Sequence, residues 1–257
     1  MNSQALYIAF LAIVRKEVGR FLRIWSQTLL PPVITTSLYF VVFGAFLGKQ
    51  IANIHGVPYI QFIVPGLVMM SVLTSAYSNV SSSFFGAKFQ RNLEELLVSP
   101  TPAWIVIAGY MVGGMLRGLI VGALVLGVSM FFTNLTLFSV VHIIAFIFLT
   151  SALFSMAGLV NAVYAKNFDA VSIVPTFVLT PLTYLGGIFY SVSLLPPFWQ
   201  AVSHFNPILY MVNGFRYGFL GFADMPIWQS YAVLLGMFVL MSLWCGWLFA
   251  TGRGLKS

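Results

Sequence analysis

Six stretches of this chain are long and apolar enough to cross a lipid bilayer, and that feature leaves few folds open. A helix rises about 1.5 Å per residue, so roughly 20 apolar residues cover a hydrocarbon core about 30 Å thick. The runs extend from about Thr28 to Leu47, Tyr59 to Phe85 with a serine-rich last part, Ala103 to Phe132, Val140 to Tyr164, Val171 to Tyr190 and Ile227 to Ala250. They are apolar all round, as lipid requires, and in hydrocarbon a helix bonds all of its backbone internally. Composition agrees, because 7% of the 257 residues are charged against roughly 25% in soluble domains. The expectation is an all-α integral membrane protein, a single unit over residues 1–257 with six transmembrane helices.

Basic residues stay on the cytoplasmic side of a span, which sets the orientation. Arg15, Lys16, Arg20, Arg23, Lys88, Arg91, Lys166, Arg253 and Lys256 fall on one face, whereas the opposite connections hold Lys49 and Arg216. Both termini are expected in the cytoplasm. The opening residues lack a basic start ahead of an apolar run, so no cleavable signal peptide is expected. Twelve basic residues scattered among apolar runs make no basic face, which argues against nucleic acid as a partner.

Three stretches are neither spans nor simple loops. Residues 4–23 place Leu6, Phe10, Ile13, Val14 and Phe21 on one side of a helix and Arg15, Lys16, Arg20 and Arg23 on the other. That is the pattern of an amphipathic helix on the cytoplasmic interface, as a basic anchor or as a gating element. Glu17, at the edge of the apolar face, points to a protein neighbour rather than lipid. Residues 86–100 place Phe89, Leu93, Leu96 and Leu97 on one face of a second short helix, stopped by Pro100 and Pro102. Its acids Glu94 and Glu95 would be repelled by an anionic leaflet, which favours a protein partner over lipid. Residues 191–226 are too apolar for a solvated loop, and Pro196, Pro197 and Pro207 break them into short helices expected to dip into the outer leaflet. Trp199, Tyr210 and Tyr217 would sit at headgroup level.

Several kinds of chemistry lack their residues. All five acids, Glu17, Glu94, Glu95, Asp169 and Asp224, fall in or beside connections, so no intramembrane carboxylate is available to bind a coupling ion. There is no phosphate-binding loop, since Gly44-Ala-Phe-Leu-Gly48-Lys49-Gln50 is one residue short and lacks the metal-binding hydroxyl. His55, His142 and His204 are isolated, and Cys245 is the single cysteine, so neither a metal cage nor a disulfide framework is expected. A channel would show polar or charged rings, and only Arg117 and the Ser78–Ser83 cluster approach that; an intramembrane enzyme would need a nucleophile beside a base. What remains is a passive channel, an ATP-independent scaffold, or one component of a machine powered elsewhere, and the acidic helix favours the last.

Gly109, Gly113, Gly114, Gly118 and Gly122 form three G-x-x-x-G pairs in the third span, which suit either packing within the chain or a subunit contact. Arg117 lies among them, where an unpaired charge costs at least about 2.5–3.5 kcal/mol on insertion scales. It must meet a wet cavity, backbone carbonyls or an acid, in a structural pairing or on a translocation path.

The order of these features resembles the permease subunit of type-2 ABC (ATP-binding cassette) transporters, in the YadH-like and NodJ-like branch. The residues that carry it are Gln61-Phe-Ile-Val-Pro-Gly66, Ser82 to Arg91, Glu94-Glu-Leu-Leu-Val-Ser-Pro100, Pro175 to Gly187, Leu195-Pro-Pro-Phe-Trp199 and Asn213 to Gly221. The resemblance implies a half-transporter of the bacterial inner membrane, in which two copies of the permease pair with two separate ATPase subunits. It makes 4–23 the interface helix and 86–100 the coupling helix, with Lys88, Phe89, Arg91, Leu93, Glu94, Glu95, Leu96, Leu97 and Pro100 as the coupling residues. The segment 191–226 becomes the outer re-entrant helices. No catalytic, metal or cofactor residue is expected in this chain, and ATP and magnesium belong to the partner. An amphipathic cargo is expected, a glycoconjugate, lipid or hydrophobic drug. Tyr39, Tyr77, Tyr184, Phe189 and Tyr190, with Arg117, are the candidates for the path, since aromatic faces stack on sugars and contact acyl chains; packing against lipid or core is the alternative for each.

Overall fold

Proline and glycine decide where the helices of this chain begin, bend and end. The computed structural model describes residues 2–48, 51 and 53–255, which fold into helices joined by links; among the described residues the only β-type pairing is a lone bridge between Ile54 and Val57. Lys49 and Lys256, counted above toward the orientation, lie outside the described residues.

Helix α1 (Ser3–Arg23) begins at Asn2, whose side chain accepts a hydrogen bond from the Ser3 N–H at 2.8 Å and so satisfies an otherwise orphaned donor. It stops where Ile24 leaves helical geometry. The first apolar run then forms α2 (Trp25–Thr28) and α3 (Leu30–Tyr39), with Pro31 and Pro32 in the opening turn of α3, where a missing N–H costs nothing. It continues as a π-helical stretch, Phe40–Leu47. Helix α4 (Tyr59–Phe89) has 31 residues, about 46 Å at helical rise, and so outreaches the hydrocarbon core. After it come α5 (Asn92–Val98), α6 (Ala103–Ser129) and α7 (Val140–Tyr164).

The next helix departs from expectation. The run expected to span from Val171 to Tyr190 forms α8 (Phe168–Val174), a π-helical turn (Pro175–Leu179) and α9 (Thr180–Tyr184), ending at Gly186 and Gly187. Pro175 and Pro181 each remove a backbone donor, which shifts the hydrogen-bond register. The Pro175 carbonyl accepts from both the N–H and the hydroxyl of Thr180, and the Asn161 side chain takes up the Val171 carbonyl, whose α-helical partner would have been the missing Pro175 N–H, at 2.9 Å. Among the described residues, five helical segments are therefore long and apolar enough to span: Trp25–Gly44, Tyr59–Phe89, Ala103–Ser129, Val140–Tyr164 and, in α12, Ile227–Thr251; Phe168–Tyr184 is a shorter apolar helix. The chain is an all-α integral membrane protein.

Helix α4 is the axis of the fold, packed most extensively against α6 and α7 and also against α11. Small residues permit this approach. A Cβ on Gly158 would run into the Tyr77 carbonyl, and one on Gly114 into Ser155 and Val80. A second small-residue face of α6, formed by Gly109 and Gly113, receives α1, and a Cβ on Gly113 would stand 2.5 Å from that of Glu17. The glycine pattern thus serves packing within the chain. Helix α1 does not merely lie on the bilayer: Ile13, Glu17 and Phe21, spaced by one turn, are buried, while Tyr7 and Ile8 are exposed.

The segment 191–226 does contain short helices, a 3₁₀ turn (Val192–Leu194), α10 (Pro197–His204) and α11 (Pro207–Leu220), with Pro197 and Pro207 in the first turns of α10 and α11. Helix α11 is core rather than periphery, and its Arg216 is 1% exposed.

Candidate functional site

The segment 86–100, expected to form a single coupling helix, is two elements. Helix α4 ends at Phe89, Arg91 adopts the left-handed conformation (φ 62°), and α5 restarts at Asn92 in a new direction. This break changes which side chains share a face. Leu93, 1% exposed, seats α5 in a cluster with Ile13, Phe84, Phe85, Ile105 and Val106, and Leu96 packs at its edge. Glu94, Glu95, Leu97 and Pro100 are exposed. Phe89 leaves the predicted apolar face and stays on α4, exposed, with its ring centroid 6.1 Å from that of Phe85 and, edge-on, 5.1 Å from that of Phe168. Lys88 is committed inward, where its Nζ donates to the carbonyls of Val163 (2.6 Å) and Ala165 (3.1 Å) at the end of α7. Arg91 is exposed. A groove of about 610 Å³ separates α5 from α1, lined among others by Lys16, Leu93, Glu95 and Leu96.

The path candidates divide. Tyr39, Tyr184 and Phe189 come together with Phe43: the two tyrosine hydroxyls are 3.3 Å apart, and the Phe189 ring centroid lies 4.8 Å from Phe43, 5.6 Å from Tyr39 and 5.9 Å from Tyr184. Tyr59 donates to the Phe189 carbonyl at 2.9 Å and pins the cluster to α4. Tyr190 packs elsewhere, beside Val192, Leu209 and Met225. Tyr77 is 1% exposed within the main core. Arg117 meets a backbone carbonyl, donating to Thr28 at 3.0 Å.

Two polar clusters escape a reading of the sequence. In the first, Glu17 is fully buried between α1 and α4, where its carboxylate accepts from Ser83 Oγ (2.6 Å), Asn79 Nδ2 (3.5 Å) and Arg20 (3.4 Å). Arg20 in turn donates to the Asn79 carbonyl and side-chain oxygen at 2.9 and 2.8 Å. The neighbour that Glu17 points to is this chain's own α4. In the second, Arg216 faces Asp224 at 3.6 Å, donates to the Gly187 carbonyl at 2.6 Å and lies 3.8 Å over the Phe62 ring. Asp224 also accepts from Ser191 and the Val192 N–H, and His55 stands 3.7 Å away. This cluster holds the last residues of the 191–226 segment against its first. An acid at the edge of an apolar helical face is the available signal for Glu17; nothing near Arg216 in sequence marks its pairing.

Comparisons with known proteins agree with this architecture. The family model described as ABC-2 type transporter matches residues 8–220, from α1 through α11. The chain is 58% identical over 251 residues to the inner membrane transport permease YadH of Escherichia coli (strain K12), covering 98% of each chain. It is 24% identical over 226 residues to nodulation protein J of Rhizobium leguminosarum bv. trifolii, covering 88% of this chain and 86% of that one. With nodulation protein J of Sinorhizobium fredii it shares 26% identity over 182 residues, 70% of this chain and 69% of the relative. Proteins of this family are the membrane-spanning subunits of ABC transporters and work with an ABC ATPase. The chain, with its multi-pass helical body, belongs to the ABC-2 type transporter family of permease subunits.

Proposed function

We propose that this chain is the permease of an ATP-driven exporter in the bacterial inner membrane, with both termini in the cytoplasm. It acts as a homodimer with two separate ATPase subunits, which bind the ATP and magnesium, and it moves an amphipathic cargo. The observation that carries this reading is the attachment of α5 to the end of the central helix. Leu93 fastens α5 to the bundle while Glu94 and Glu95 face outward, so an ATPase with a basic rim gains electrostatic complementarity there. A push on α5 passes into α4 and, through the Lys88 bonds, into α7, which suits rigid-body rocking of a helix bundle. A passive channel or scaffold has no use for such a coupling.

Charge reversal at both acids, Glu94→Lys with Glu95→Lys, tests the reading in the full permease co-expressed with its ATPase. Both side chains are exposed, so insertion and melting temperature should stay as in the wild type, while ATPase co-purification and transport are lost. Should the double variant keep its ATPase at wild-type stoichiometry and transport normally, these acids are not the contact, and docking passes to Phe89 and Leu97.

A further inference from the structure

The link between the first span and α4 ends in a tight hairpin. Ile54 and Val57 exchange backbone bonds of 3.0 and 3.1 Å, and the two residues between them, His55 (φ 49°) and Gly56 (φ 81°), are both left-handed. Two-residue hairpins of this kind favour Asn-Gly, and histidine is among the few other side chains enriched in the left-handed region. The turn itself therefore needs no imidazole, yet it presents one to a carboxylate. The His55 ring lies 4.9 Å from that of Phe222, and its Nε2 stands 3.7 Å from Oδ1 of Asp224.

Asp224 belongs to the link between α11 and α12 and is buried, whereas the His55 side chain is 47% exposed. Oδ2 of Asp224 faces Arg216 at 3.6 Å and accepts from the Val192 N–H at 3.3 Å, while Oδ1 accepts from Ser191. The carboxylate thus has a permanent cation at one oxygen and a histidine at the other. The remaining titratable groups on the neighbouring elements are phenols: Tyr59, which donates to the Phe189 carbonyl, and Tyr190, packed with Val192 and Met225. Phenols are uncharged at neutral pH; Lys49, on the same link as His55, lies outside the described residues. Among the described residues of this cluster, the histidine is the side chain of the type that changes charge between about pH 5 and 8.

At 3.7 Å a neutral imidazole makes no hydrogen bond. Protonation turns both ring nitrogens into donors and adds attraction to the carboxylate, screened because the ring is half in water. That gain exists only while the hairpin is closed, so the closed hairpin holds the proton more tightly than an open one. The contact is therefore strongest in acid and weakens as the pH rises through the histidine range.

We infer that the hairpin 54–57 is a proton-sensitive latch: protonated His55 closes on Asp224 and ties the link before α4 to the link before α12, and loss of the proton loosens the tie. In the proposed orientation the latch faces the outside, where external acidity reaches it. The export reading adds only one step, that parting of these two links lets cargo out; the latch itself does not rest on that reading.

Hydrogen exchange of the Ile54 and Val57 amides tests the latch, in the full chain in phosphatidylcholine nanodiscs at about pH 5.5 and 8, with rates corrected for the intrinsic pH dependence of exchange. Protection should be about two- to fivefold greater at the lower pH, the scale of a partly exposed ion pair, and sodium chloride at about 1 M should shrink the difference. His55→Asn keeps a residue suited to the turn and should abolish the pH difference at an unchanged melting temperature. Equal protection at both pH values in the wild type, greater protection at the higher one, a difference that salt leaves intact, or one that survives in His55→Asn overturns the inference. The measurement involves neither ATPase nor cargo, so failure of the exporter reading leaves its outcome unchanged.

Discussion

Replacing Glu17 by alanine should loosen the whole N-terminal helix, and the structure allows the size of the effect to be worked out. Ser83 loses the one partner of its buried hydroxyl, 2.6 Å away, at about 1–3 kcal/mol for an orphaned group. Arg20 loses a contact at 3.4 Å but keeps both bonds to Asn79, and its side chain is 30% exposed, so that loss stays near the surface-pair scale of about 0–1 kcal/mol. The deleted methylene adds about 0.8 kcal/mol of lost burial. The sum, about 2–5 kcal/mol, corresponds to a fall in melting temperature of roughly 5–15 °C for a chain of this length. Glu17→Gln keeps the shape and an acceptor for Ser83 and should cost about 1 kcal/mol or less. Scanning fluorimetry in detergent reads the melting temperatures, and hydrogen exchange over residues 3–23 reads the detachment of α1. A Glu17→Ala chain melting within 1–2 °C of wild type, with α1 protected as before, would refute the idea that this carboxylate ties α1 to α4.

Gly158→Ala forces a methyl group into the Tyr77 carbonyl and should destabilise by about 1–3 kcal/mol, whereas Gly127→Ala, with nothing within 4 Å, should be neutral or stabilise by up to about 1 kcal/mol; melting temperatures in the reverse order would contradict the packing. Asp224→Asn removes the carboxylate that faces a fully buried guanidinium and should cost about 3–5 kcal/mol, with Asp224→Asn/Arg216→Met restoring part of it in the same assay. In a chain whose buried Cys245 is replaced, a cysteine at Ser3 should react with an impermeant maleimide only from the cytoplasmic side and one at Asn53 only from the outside; labelling of both from one side would overturn the proposed orientation.

Hydropathy exposes those elements whose apolar run alone decides the outcome. The run from Val140 to Tyr164 has the bounds of α7, and that from Ile227 to Ala250 stops one residue short of α12. At 171–190 it finds the apolar helical run but not its interior, because a window of apolar residues carries no information on the hydrogen bonds that Pro175 and Pro181 delete. The division of the coupling segment was hidden for another reason: a left-handed arginine is uncommon, and nothing in the local pattern calls for a turn at Arg91. Tyr77 illustrates a third limit, since a helix that is apolar all round looks the same whether it faces lipid or core. For Glu17 the sequence offers the anomaly but not the answer, because Asn79 and Ser83 lie 62 and 66 residues away along the chain.

The length of α4 has a mechanical consequence. Its first turn sits beside the aromatic cluster, where Tyr59 holds Phe189, and its last turn carries Lys88 clamped onto the end of α7. A stiff rod about 46 Å long that tilts about its midpoint by roughly 5° moves each end by about 2 Å in opposite senses. The clamp recruits α7 into the same swing, so the pair acts as a lever whose two arms are of nearly equal length. A displacement delivered at α5 would then reach the Tyr59–Phe189 contact with its direction inverted, less whatever bending at Pro65, inside the upper arm of α4, absorbs.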